Sequence, residues 1–327
     1  MLLLGDVPTW VTNYPIPALI AGLVTLVVGA DLLVRGAIWI ALSSGMGPLT
    51  VGLTLVSIGT SLPELLVTLT AADGHAEMGI ANVLGSNTAN VLLIIGVAAS
   101  IRAIRTKTRW LELVYVLLLS GLAAIPFVVG GRLDRWMGGV MVACLAMFLF
   151  QLIARERAAG SGPEQDQRPA PSASKWLSNA FLVTAGFAML KYGADWLVDG
   201  ASQVATDFGM SEPVIGATVV AIGTSLPELA TSLIAALRGQ PELCIGNVIG
   251  SNIFNIGAVL GGAALLHPFE FEADGLLVTT LVTAGVSCLV LTILLRKLGG
   301  VPRSVGLLFI LAYAGFTAYS VLVQPGG

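Results

Sequence analysis

The hexapeptide GTSLPE occupies residues 59–64 and returns unchanged at residues 223–228, each time inside a long apolar stretch. Proline at that place removes a backbone donor and clashes with the preceding turn, which frees carbonyls around Thr60 and Thr224 or just upstream. Glu64 and Glu228 follow their prolines directly, in mid-stretch, where an ionised carboxylate is costly. Freed carbonyls at membrane depth need a partner, which protein, a water-lined cavity or a bound cation can supply. Such a pair of glutamates holds a proton or a cation most of the time.

A second motif, GSN-x-x-N, repeats at residues 85–90 and 250–255. On a helix it sets Ser86 with Asn90, and Ser251 with Asn255, four apart on one face. Asn82 and Asn247 lie one turn earlier and offer further side-chain oxygens. Hydroxyl, amide and carbonyl oxygens with two carboxylates make a hard-oxygen set, suited to Ca²⁺, Na⁺ or Mg²⁺ rather than zinc or copper. One Ca²⁺ neutralises the charge of Glu64 and Glu228, whereas the doubly ionised site alone would be badly destabilised. A carrier that switches sides only when loaded exchanges ions rather than leaking them.

The elements that must position these residues are membrane spans. Hydrophobic residues make up 56% of the 327 and charged residues 11%, with a mean hydropathy of +0.90, which excludes an ordinary soluble domain. A net charge of −3 without any basic block excludes nucleic acid as a partner. MLLLGDVPTW carries an acidic residue and no positive region, so the first span is expected to insert uncleaved. Cys144, Cys244 and Cys288 are widely spaced in apolar runs and read as packing residues, not as a disulfide framework or metal site.

Runs long enough to cross the bilayer, about 20 residues, predict ten spans near 15–41, 48–72, 78–100, 111–129, 135–154, 177–205, 213–237, 243–266, 275–295 and 304–323. Polar residues 156–175 read as a cytoplasmic linker between an N-terminal half, 1–155, and a C-terminal half, 176–327. With the N-terminus outside, 12 of the 16 Lys and Arg fall on the cytoplasmic side, and both termini are external. The external loops are acidic, with Asp73, Glu77, Asp207, Glu212, Glu270, Glu272 and Asp274, and His75 and His267 sit at external ends as interfacial residues.

The halves match at 14 of 22 positions between 51–72 and 215–236, at 10 of 21 between 79–99 and 244–264, and at 7 of 9 between GADLLVRGA (29–37) and GADWLVDGA (193–201). Five spans per half is odd, so the second half must run inverted. The fold expected is an all-α polytopic membrane protein of ten transmembrane helices in two inverted-topology repeats of five. In the first span of each half, Asp31 with Arg35 and Lys191 with Asp195 are spaced to pair, and with Asp199 they suggest a structural or gating role.

Two copies of GTSLPE, each followed by GSN-x-x-N, resemble the repeats of the calcium/cation antiporter superfamily, in particular its prokaryotic sodium/calcium exchangers. The resemblance runs over nearly the whole chain. It implies a central Ca²⁺ held by Glu64 and Glu228 with the backbone carbonyls of Thr60 and Thr224. It implies Na⁺ positions made by the same carboxylates with Ser61, Ser225, Ser86 and Ser251 and by carbonyls near Ser57 and Ala221, while Asn90 and Asn255 complete the ligand candidates. The first and sixth helices would slide across the other eight. Some relatives, notably potassium-dependent ones, carry Asp where this chain has Asn255, which argues against obligatory K⁺ cotransport.

The function expected is electrogenic Ca²⁺/Na⁺ antiport at a prokaryotic plasma (inner) membrane, with no cofactor and no partner beyond the ions and the lipid bilayer. The alternative is proton-driven antiport of Ca²⁺ or another divalent cation on the same fold. A passive cation channel would lack saturable countertransport. An intramembrane enzyme would show a catalytic aspartate pair or a Ser and His pair, and the repeated acids here are glutamates. An enzyme is therefore not expected.

Overall fold

The computed structural model describes residues 8–71, 76–106, 110–159, 172–208 and 221–323. It is almost entirely helical. A short α1 (Thr9–Asn13) leads into α2 (Pro15–Ser44), followed by α3 (Pro48–Thr60), α4 (Leu62–Ala71), α5 (Ala76–Ile101), α6 (Trp110–Val128) and α7 (Arg135–Ala159). Then come α8 (Ala173–Asp207), a single turn Ala221–Gly223, α9 (Leu226–Leu237), α10 (Pro241–Leu266), α11 (Gly275–Leu298) and α12 (Arg303–Val323). Among the described residues, seven helices are long and apolar enough to cross a membrane, and α3 with α4, bent by 42°, forms an eighth if taken as one span.

Local chemistry sets the ends. Pro15 opens α2 at a position that needs no amide donor, and Gly45 closes it in the left-handed conformation, φ 71°. The Asp274 side chain accepts from the Leu277 amide at 2.7 Å to cap α11, whose last turn carries Arg296 and Lys297 before Gly299 at φ 64°. Two short antiparallel ladders tie loops together, Ile104–Arg105 with Gly300–Val301 and Arg132–Leu133 with Phe269–Glu270.

The core centres on α10 and α5, whose apolar windows are 94% and 72% buried, against 28–44% for the other crossing helices. Those outer helices turn Leu23, Phe150 and Phe181 outward, and α12 turns Leu308 and Leu311 outward, as a lipid-facing wall requires. Cys244 and Cys288 are buried and unbridged within this core, and Cys144 is half-buried.

α2 and α8 pack antiparallel along their whole lengths, with Trp39 against Trp176 at one end and Trp10 of α1 against Trp196 toward the other. Gly22, Gly29 and Gly36 recur every seventh residue, as do Gly186, Gly193 and Gly200. That spacing keeps one seam facing the partner helix, and small residues let the backbones close. A Cβ on Gly193 would lie 2.6 Å from the Leu26 amide nitrogen and 2.9 Å from the Gly22 carbonyl. Gly193→Leu is therefore expected to destabilise the protein by about 2 kcal/mol through overpacking. Gly121→Leu, at an exposed position with nothing within 4 Å of its Cβ, should leave thermal unfolding in detergent unchanged. Equal shifts for the two variants would refute the seam.

Several boundaries differ from the sequence reading. α7 continues to Ala159 and α8 starts at Ala173, so both ends of the expected linker are helical. Glu156, placed by its polar neighbours in that linker, is buried and accepts from Thr50 Oγ1 at 2.8 Å. The middle of the linker, residues 160–171, lies outside the described residues, as do the first residues of the expected seventh span, the N-terminal residues 1–7, Asp73, His75 and Glu212. The expected pairs form: Arg35 with Asp31 at 2.7 Å and Lys191 with Asp195 at 2.6 Å. Asp31 also pairs with Arg238, at the end of α9.

Candidate functional site

Each GTSLPE breaks its helix where the proline predicts. Ser61 sits at φ −83°, ψ 6° and Ser225 at φ −91°, ψ 5°, so the same non-helical residue interrupts both copies. A new helix starts at Leu62 and at Leu226, with the proline second and the glutamate third. Each glutamate thereby moves from the middle of an apolar stretch to a first helical turn, where amides without helical partners favour negative charge. The motif glycines are sites of close approach, with Phe187 of α8 lying over Gly59 and Val198 of α8 over Gly223.

Ser-x-x-Glu is the pattern of a capping box, yet Ser225 makes no cap hydrogen bond to its own helix. The serines reach across instead. Ser61 Oγ donates to Glu228 Oε1 at 3.3 Å, and Ser225 faces Glu64 and donates to Ser86 Oγ at 3.4 Å. Glu64 faces Ser86 and Ser225, while Glu228 faces Thr60, Ser61 and Ser251. Thr60, Ser61, Glu64, Ser86, Thr224, Ser225, Glu228 and Ser251 are all buried, none more than 5% exposed. Glu64 Oε2, Glu228 Oε2, Thr224 Oγ1 and Ser251 Oγ have no hydrogen-bond partner among the described residues. Buried oxygens of this kind are costly unless something meets them.

Asn90 and Asn255 are fully buried, each opening a π-helical segment, Asn90–Ile95 and Asn255–Leu260. Ser57 is buried, but its carbonyl is not freed: it accepts from the Ser61 amide at 3.0 Å and from Thr60 Oγ1 at 3.5 Å, because the α-helical turn Ser57–Thr60 follows the π-helical segment Gly52–Val56. In the second half the Ser225 amide turns to the Ile222 carbonyl at 3.1 Å, leaving the Ala221 carbonyl without that donor. Asn82 and Asn247 were expected to offer oxygens and instead act as donors. Asn82 Nδ2 meets the Glu64 carbonyl at 3.3 Å and Thr68 Oγ1 at 3.1 Å, and Asn247 Nδ2 meets the Glu228 carbonyl at 3.5 Å and Ser232 Oγ at 2.9 Å. They hold the backbone of the glutamates, and Asn247 Oδ1 is taken by Thr60 Oγ1 at 3.3 Å.

Two further residues escaped the sequence reading. Asn87 and Asn252, the third letters of the two GSN motifs, are buried at the contact of α5 with α10 and bond to each other's backbone. Their recurrence in both motifs was the available signal.

Among the described residues no three His, Cys, Asp or Glu side chains cluster. The cluster consists of two carboxylates amid neutral oxygens, a hard-oxygen set.

The profile described as sodium/calcium exchanger protein matches residues 14–154 and 178–322. CaxA of Alkalimonas amylolytica is 36% identical over 305 residues, covering 91% of this chain and 95% of that protein. The sodium/calcium exchanger MaX1 of Methanosarcina acetivorans is 32% identical over 339 residues, covering 91% and 96%. The solved structure of the sodium/calcium exchanger from Methanococcus jannaschii superposes with a TM-score of 0.79 at 28% identity, covering 94% of this chain and 98% of that one. With two matched blocks spanning both halves and the duplicated motifs meeting in one buried cluster, the chain belongs to the sodium/calcium exchanger protein family, whose members are membrane transporters rather than enzymes.

Proposed function

We propose that this protein exchanges Ca²⁺ for Na⁺ across a prokaryotic inner membrane by alternating access. The chain would cross ten times as two inverted repeats of five, 1–155 and 176–327 with 156–175 between them, both termini outside. The observation that carries the reading is the crosswise cluster, in which Ser61 of one half donates to Glu228 of the other and Ser225 faces Glu64. One site is thus made from both halves, as alternating access needs. Ca²⁺ would be held by Glu64 and Glu228 with the carbonyls of Thr60 and Thr224. Na⁺ would compete through the same carboxylates, Ser61, Ser225, Ser86, Ser251, Asn90 and Asn255, and the carbonyls of Ala221 and Ser57, at the latter displacing the Thr60 Oγ1 donor that lies 3.5 Å away.

The antiparallel α2 and α8 seam is the natural sliding element, since α8 also covers the glycine of each GTSLPE. If three Na⁺ move against one Ca²⁺, one net charge crosses per cycle, worth about 2.3 kcal/mol per 100 mV.

The deciding experiment is Ca²⁺ uptake into proteoliposomes loaded with Na⁺, with K⁺ or with a pH gradient alone. Uptake driven by outward Na⁺, and needing no K⁺, is expected. Uptake driven only by the pH gradient would reassign the coupling ion to H⁺ on the same two glutamates, and a strict K⁺ requirement would contradict the two-carboxylate reading.

A further inference from the structure

Four asparagines of the two GSN-x-x-N motifs form a reciprocal clasp where α5 meets α10. Asn87 Nδ2 donates to the Asn252 carbonyl at 3.3 Å, and Asn252 Nδ2 donates to the Asn87 carbonyl at 3.4 Å. Asn255 Nδ2 donates to Asn87 Oδ1 at 3.0 Å, and Asn90 Nδ2 donates to Asn252 Oδ1 at 2.9 Å. Asn252 Nδ2 is also 3.3 Å from Cys288 Sγ. All four asparagines are at most 1% exposed.

This arrangement removes the ambiguity of an amide that could face either way. A backbone carbonyl can only accept, so the atom each inner asparagine turns toward it must be Nδ2. Its Oδ1 then faces the outer asparagine of the other half and can only accept in turn. Asn90 and Asn255 are therefore bound to spend Nδ2 on the clasp. Their own Oδ1 atoms are left buried and without a hydrogen-bond partner among the described residues. The π-helical segment opened by Asn90 packs on α9, which carries Glu228, and the one opened by Asn255 packs on α4, which carries Glu64. The two oriented oxygens thus belong to the surroundings of the glutamate cluster.

We propose that Asn87 and Asn252 are positioning residues that make the Asn90 and Asn255 amides present oxygen, not nitrogen, to the transported cation. The proposal rests on the exchanger reading and deepens it. A reversed amide would aim its partial positive charge at the ion and set oxygen against oxygen within the clasp. Each outer asparagine is oriented by the inner asparagine of the opposite half, which is itself fixed by a backbone carbonyl of the outer asparagine's own half, so the orientation depends on both halves meeting.

The test uses the purified full chain in Na⁺-loaded proteoliposomes, reading KM and maximal rate for Ca²⁺ uptake. Asn87→Leu removes the acceptor that holds Asn255, and KM should rise about tenfold, the loss of one dipole oriented on a charge, with the maximal rate little changed. The decisive variant is Asn87→Leu with Asn255→Asp, compared with Asn255→Asp alone. A carboxylate has two equivalent oxygens and cannot present the wrong atom, so Asn87→Leu should no longer raise KM in that background. A merely structural role for Asn87 would raise KM equally in both backgrounds, which overturns the proposal, as would an unchanged KM in Asn87→Leu itself. If Asn87→Leu is lost on size-exclusion chromatography, the matching cycle of Asn252→Leu with Asn90→Asp is read the same way. Wild-type vesicles that take up no Ca²⁺ under any Na⁺ gradient would instead sink the exchanger reading.

Discussion

Glu228→Gln, and equally Glu64→Gln, is expected to lower Ca²⁺ uptake by more than about 100-fold while the purified protein keeps its wild-type elution profile. Both carboxylates are essentially inaccessible to water and lie close enough to repel each other. A unit charge pair about 4 Å apart at an effective dielectric near 20 is worth about 4 kcal/mol, and a divalent ion feels the loss doubly. Glutamine preserves shape and one oxygen, so packing survives and charge balance does not. Wild-type-like flux in either variant would remove the two-glutamate site from the account.

Ser61→Ala and Ser225→Ala should each weaken apparent Ca²⁺ affinity about tenfold, the usual scale for a hydrogen bond to a charged group. The physical reason is that each hydroxyl meets the opposite half: Ser61 donates to Glu228, and Ser225, which makes no cap hydrogen bond to its own helix, faces Glu64. Ser287→Ala serves as the comparison. Ser287 is buried too, but its hydroxyl donates to the Ala284 carbonyl within α11 at 2.9 Å, and Ca²⁺ affinity should not change. Uptake assayed over a Ca²⁺ titration decides it: equal losses in all three variants would mean that the crosswise contacts carry no special weight.

What could be read from the sequence was whatever depends on residue type within one turn of helix. Proline beside glutamate in an apolar run announces a broken helix and an unpartnered carboxylate, and the breaks fall at Ser61 and Ser225 in both copies. The i, i+4 pairs Asp31 with Arg35 and Lys191 with Asp195 were legible for the same reason. What stayed hidden depends on which halves touch. Asn87 looks like any polar residue beside a serine until Asn252, 165 positions away, is placed against it. Glu156 looks like part of a solvated linker until Thr50 is found donating to it. That Asn82 and Asn247 donate Nδ2 to the carbonyls of Glu64 and Glu228 depends on those carbonyls lying beneath them, which sequence spacing cannot show. The sevenfold glycine spacing in α2 and α8 was visible as a pattern, but its meaning needed the antiparallel partner.

The central claim is a single cation site shared by Glu64 and Glu228, and calorimetric titration of Ca²⁺ into the purified full chain tests it most directly. One Ca²⁺ per chain is expected, displaced by Na⁺ and absent from Glu64→Gln and from Glu228→Gln alike. Two independent Ca²⁺ per chain, or a Ca²⁺ isotherm indifferent to Na⁺, would contradict it.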